Sequence, residues 1–145
     1  MERGTVEKVM SVMGELGREA DLGSRGAVLE EFRRTCERTS GICMLLLSTA
    51  DGRSVADWST LDVDPRRLSA MTNSFLTLGE TVARELGMGS ADYATICTQQ
   101  GNMVLIRLDL GRPMTLAAMG ASEMNLAVLL FGARECASRL KARLT

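Results

Sequence analysis

The 145-residue chain has a formal net charge of −1, a sequence pI near 5.5, and 46% apolar but only 3% aromatic residues. That length bounds it to one compact domain with room for an appendage, and the balance shows neither a basic field for phosphates nor stacking platforms for bases, so nucleic acid is not an expected partner. The chain contains no histidine, which excludes Ser-His-Asp and Cys-His hydrolysis and removes the commonest metal ligand.

Residues 1–23 form a leader. Val6, Val9, Met13, Leu16 and Ala20 alternate by three and four, a short heptad seam. Gly14 and Gly17 weaken it. The leader is expected to be dispensable for folding, either docking weakly or staying mobile, or else serving as a partner-binding helix. Gly23-Ser24-Arg25-Gly26 separates it from a single domain over 24–145.

With Ser24 as N-cap, Val28, Leu29, Phe32, Thr35, Cys36 and Thr39 make the buried stripe of a first helix, with Glu30 and Arg34 as an i,i+4 ion pair opposite. The run Ile42 to Leu47 then has no polar position at either period, so both of its faces must be covered, and its length suits a strand. Asp51-Gly52 supplies the reversal, and Val55 to Trp58 returns antiparallel. Asp64 caps the next helix with Pro65 in its first turn, and glycines at 87 and 89 stop it. Its apolar positions Leu68, Met71, Phe75, Leu78, Val82 and Leu86 are expected to face the core.

Tyr93 to Thr98, Asn102 to Leu108 and Met114 to Gly120 read as an antiparallel meander. Ser122 is expected to cap a last helix, with Glu123 at its positive end and Leu126, Leu129, Leu130, Ala133, Ala137, Leu140 and Leu144 buried. Arg139, Lys141 and Arg143 suit its negative end. The order α-β-β-α-β-β-β-α makes an α+β domain.

Several kinds of chemistry are absent from this pattern. The glycine pairs lack the spacing and the Lys-Ser/Thr of a phosphate-binding loop. Capping and solvation explain the Asp62–Asp64 pair. Cys36, Cys43, Cys97 and Cys136 include no closely spaced pair and are expected to be buried thiols, not metal ligands or disulfides. The longest apolar runs fall far short of the roughly 20 residues that cross a bilayer. No signal region follows Met1 and no prenylation cysteine precedes Thr145, so the cytoplasm is the expected compartment.

Gly41 before the apolar strand, Asp51-Gly52 in the first turn, the long middle helix, and Asn125-Leu126 at the last one together resemble the roadblock / dynein light chain family, over about residues 24–144. The resemblance implies a roadblock (profilin-like) architecture: a five-stranded antiparallel sheet in the order 2-1-5-4-3, one helix on one face and two on the other. It further implies a homodimer through the second helix and third strand. As in bacterial members of the family that act in gliding motility, it implies a platform that binds a Ras-like small GTPase and modulates its nucleotide cycle. No cofactor, no metal and no chemistry of its own are implied. The alternatives are a passive adaptor of the motor light-chain kind and, ranked last, a ligand-sensing domain.

On the second helix, Ala70, Asn73, Ser74, Thr77 and Thr81 fall together opposite the apolar stripe, small and uncharged where a solvated face normally carries Lys and Glu. With the resemblance, this face is expected to be the dimer and partner surface, flanked by Glu80 and Arg84.

Overall fold

A computed structural model describes residues 24–145; the leader seam lies outside the described residues. The first helix, α1, runs through residues 24–38. Ser24 is itself helical, so it does not cap the helix. Val28, Phe32 and Thr35 are buried and Leu29 and Cys36 half-buried, as the stripe requires. The expected Glu30–Arg34 pair does not form, because each side chain has a nearer partner. Glu30 accepts from Arg143 at 2.8 Å, and Arg34 reaches Glu31 at 3.4 Å.

Strand β1, Ile42–Thr49, is paired on both edges. One neighbour is β2, Ser54–Ser59, and the other is β5, Pro113–Ala121; β4, Gly101–Asp109, and β3, Tyr93–Thr98, complete the order β2-β1-β5-β4-β3. Every pairing is antiparallel. In the β1–β2 turn only Gly52 has positive φ, at 93°, and Thr49 N donates to Arg53 O at 2.8 Å.

Alternate β1 side chains divide the core. Leu45 and Leu47 pack with Val28, Phe32, Leu116, Leu129 and Leu140, whereas Met44 and Leu46 pack with Leu76, Leu105 and Ala117. Its residues Ile42 to Leu47 are apolar throughout because helices cover both faces: α1 and α3, Leu126–Leu144, on one side and α2, Pro65–Glu85, on the other.

Helix α3 starts later than expected. Ala121 to Met124 forms a turn closed by Met124 N to Ala121 O at 2.9 Å, which absorbs Ser122 and Glu123, and Asn125 caps instead by accepting from Ala127 N at 2.7 Å. A buried carboxylate ties α1 to α3. Glu31, 2% exposed, accepts from Arg139 at 3.1 Å and Arg143 at 3.2 Å, while Arg139 also donates to Thr35 Oγ1 at 2.7 Å. Arg139 and Arg143, expected merely to suit the helix terminus, thus pair with carboxylates of α1.

All four cysteines are free thiols. Cys136 is buried, Cys36 and Cys43 are half-buried, but Cys97 is exposed because β3 is an edge strand. Among the described residues, no helix is long and apolar enough to cross a membrane.

Candidate functional site: the outer surface of helix α2

Helix α2 begins where the sequence indicates. Asp64 accepts from the backbone N–H groups of Arg66 and Arg67 at 3.1 and 3.4 Å, with Pro65 at the first position. It ends in a Schellman motif: Gly87, φ 66°, donates to Arg84 O at 3.1 Å, and Met88 donates to Ala83 O at 2.9 Å.

The orientation of α2 corrects the expected core stripe. Met71, Phe75, Leu78, Val82 and Leu86 are all exposed, Leu78 at 63% and Leu86 at 69%, and only Leu68 of that set packs against the sheet. The buried residues are Ser69, Thr72, Asn73, Leu76 and Ala83. The cause lies beneath the helix, where the sheet presents Ser48, Thr115 and Arg107 beside its aliphatic residues.

Asn73, expected on the outer face, is 3% exposed and sits at the centre of this polar seam. Its Nδ2 donates to Ser48 Oγ at 2.7 Å and Ser69 O at 2.8 Å; its Oδ1 accepts from Thr115 Oγ1 at 2.6 Å and Arg107 Nη1 at 3.1 Å. Ser69 and Thr72 spend their hydroxyls on carbonyls of their own helix, Pro65 O at 2.7 Å and Leu68 O at 2.9 Å, so burying them leaves no donor unpaired.

Outside, two surfaces lie side by side along the helix. The first is the apolar stripe, which runs on through Met88 towards β3, where Ile96 is exposed on the α2 face; Val82 and Met88 share one cleft with Tyr93, whose side chain lies on the α3 face of that strand. Arg134 of α3 stacks over the Tyr93 ring at 5.0 Å.

The second surface carries the remaining small residues. Ala70, Ser74, Thr77 and Thr81 are exposed and, with Ala50, Asp51 and Gly52 of the β1–β2 turn, line a groove of about 470 Å³. Gly52 is needed there for space as well as conformation, since a Cβ would stand 3.2 Å from Ala70 Cα. The Thr49 hydroxyl, donating to Asp51, holds that carboxyl below its usual range. Glu80 is tied back to Arg107 at 2.7 Å, whereas Arg84 is exposed and lines a smaller cleft with Ser90 and Ala91.

Ala70, Asn73, Ser74, Thr77 and Thr81 thus all border one groove, with Asn73 buried beneath it instead of on the outer face, and the stripe expected in the core is a surface. This arrangement can hydrogen-bond and bury a protein partner; the groove holds no nucleophile paired with a base. Among the described residues, no three Cys, Asp or Glu side chains are grouped to hold a metal ion.

No family model matches the sequence, and no curated protein does. Solved structures do match. An MglB with a tetrameric arrangement superposes with a TM-score of 0.71 at 14% identity, over 83% of this chain and 90% of that one. The gliding protein MglB from Thermus thermophilus gives 0.70 at 13%, over 83% and 90%. A Roadblock/LC7 domain from Streptomyces avermitilis gives 0.67 at 15%, over 77% and 92%. Likeness at this identity speaks for architecture, and the architecture of this chain is that of the roadblock and MglB proteins.

Proposed function

We propose that this protein is a homodimeric regulatory platform that binds a Ras-like small GTPase and modulates its nucleotide cycle without chemistry of its own. The observation that carries the reading is the apolar stripe on α2. Met71, Phe75, Leu78, Val82 and Leu86 lie exposed in one row, and a row that runs on into an edge strand is the kind of patch that monomers seldom leave in water. A two-fold partner covers it by setting α2 on α2 and β3 on β3.

In this reading the interface shifts from the small-residue face to the stripe beside it. Ala70, Ser74, Thr77 and Thr81 then flank the paired helices as the partner-binding groove, with Arg84 at the far end of the same surface. The kind of partner rests on the resemblance to roadblock proteins.

The test has two arms. Light scattering across a dilution series should report a dimer that dissociates at low concentration. A Ras-like GTPase recovered from cell extract with this protein as bait should change its rate of GTP turnover or nucleotide exchange when the protein is added back. Binding with an unchanged nucleotide cycle would make the protein an adaptor, and the absence of binding would end the platform reading.

A further inference from the structure

Strand β2 closes one end of the sheet, with β1 on its inner edge and no strand among the described residues on its outer one. The register decides which of its main-chain groups are spent. Thr60 N donates to Cys43 O at 3.0 Å, and Trp58 pairs with Leu45 two residues further along, so the N–H and C=O of Trp58 turn inward to β1 and those of Asp57 and Ser59 turn outward. Among the described residues, no backbone group answers them. The side chains alternate as well. Trp58 lies with Leu45 on the α1 side, and Asp57 lies with Leu46 on the α2 side. Between Trp58 and α1 runs a groove of about 440 Å³ lined by Leu29, Arg33, Cys36 and Glu37. Arg33 and Glu37 neutralise each other at 2.6 Å, which leaves Leu29, Cys36 and Trp58 as its apolar walls. The Asp57 carboxylate forms no ion pair among the described residues.

We propose that the outer edge of β2 is a docking site for an extended segment of a partner protein, one that carries a Lys or Arg between two apolar residues and joins the sheet as a further antiparallel strand. Main-chain chemistry selects the extended form, because the outward N–H and C=O groups of a strand are met together by another strand. A residue set opposite Asp57 exchanges both bonds with it and places its own side chain on the α2 side, within reach of the carboxylate. The residues before and after it then point to the α1 side, one beside Ala56 and the other beside Trp58, where the groove opens. Charge selects the rest. An unpaired carboxylate on one side and a neutralised apolar groove on the other fit a basic residue flanked by apolar ones, whereas an acidic residue at the centre would repel Asp57 across the pair. The site lies at the opposite end of the sheet from β3, so it stays open when a second copy covers β3 and α2.

Trp58 is the single tryptophan and stands in the groove wall, so it reports on the site. The intact chain is titrated with the peptide acetyl-Thr-Ile-Lys-Ile-Thr-amide and followed by Trp58 emission and by exchange of the Asp57 and Ser59 amides. The emission should shift to the blue and saturate, and both amides should slow. Methylating the lysine N–H, which faces β2, should abolish the response, whereas methylating an isoleucine N–H, which faces away, should leave it. Glu in place of the central Lys should weaken binding about fivefold. Asp57→Asn should erase that difference, and Asp57→Lys should reverse it. The absence of a saturable shift overturns the proposal, as does equal binding of the Lys and Glu peptides, or of the two methylated ones, to the unaltered chain. So do Asp57 and Ser59 amides that already exchange slowly before peptide is added. If they are slow at every protein concentration, the chain itself covers the edge; if they quicken on dilution, a second copy does.

Discussion

Asn73 shows why a residue's polarity does not tell which side of a helix it occupies. Its amide is satisfied at both ends, by Ser48 and Ser69 on the donor side and Thr115 and Arg107 on the acceptor side, so burial costs it little. Asn73→Leu would leave the buried Thr115 hydroxyl without its acceptor and Ser48 without its donor, while Arg107 would keep Thr115, Thr77 and Glu80. The variant should lose about 2–4 kcal/mol in a urea titration, from the unpaired groups together with a poorly fitting side chain; a loss within error would mean that the seam does not help seat α2. Asp51 makes a different prediction. Its carboxyl is held low first by the Thr49 hydroxyl and then by its own backbone contact and by Arg53 and Arg112. A depressed folded pKa means that the ionised form contributes stability above the ordinary aspartate range, and that this is lost as pH falls through the folded value. Asp51→Asn should therefore flatten the fall in urea midpoint below about pH 4, whereas the same slope in wild type and variant would remove Asp51 from the acid response.

At the scale of elements, the signals that could be read without tertiary context were those that depend on local chemistry. Asp64-Pro65 opens α2 through a carboxylate that accepts from two backbone N–H groups and through a fixed φ, Gly87 closes it through positive φ, and the unbroken run Ile42 to Leu47 requires two covered faces wherever it lies. The inward face of α2 could not be read in this way. Periodicity marks a stripe, but the choice of side depends on what the sheet offers, and Ser48, Thr115 and Arg107 on three separate strands combine only after folding. The late start of α3 has the same origin, since Ser122 and Asn125 are both good caps and the turn closed on Ala121 decides between them. If α2 pairs through its apolar stripe, Leu78→Arg sets like charges against each other across the two-fold axis and should yield a folded monomer by light scattering. Thr77→Arg and Ser74→Arg, on the groove side, should leave the dimer intact and weaken capture of the GTPase. A Leu78→Arg protein that stays dimeric would place the interface elsewhere on the molecule.

The whole molecule is a sheet with two unequal coats. The α1 and α3 side holds the larger apolar cluster, locked by Glu31 and its arginines, while the α2 side is thin, hydroxyl-lined and bounded by the exposed stripe. Strands β1 and β5 are paired on both edges and covered on both faces; β3 is paired on one edge only, with side chains that are mostly exposed. Amide exchange should therefore separate the strands in two ways. The amides of β1 and β5 open only with global unfolding and should be the slowest in the chain at every protein concentration. Leu46→Ala should cost about 2–5 kcal/mol as a cavity between the sheet and α2, and should speed the exchange of both strands together. The outward amides of β3 have no partner within the described residues, so they should exchange fast in dilute solution and slow down as concentration rises if the strand pairs with its copy. Concentration dependence confined to β3 and α2 would tie self-association to the thin side of the sheet. Fast exchange of β3 at every concentration, beside a dimer seen by light scattering, would show that the two copies meet without joining their sheets, and the paired-strand part of the platform would have to be abandoned.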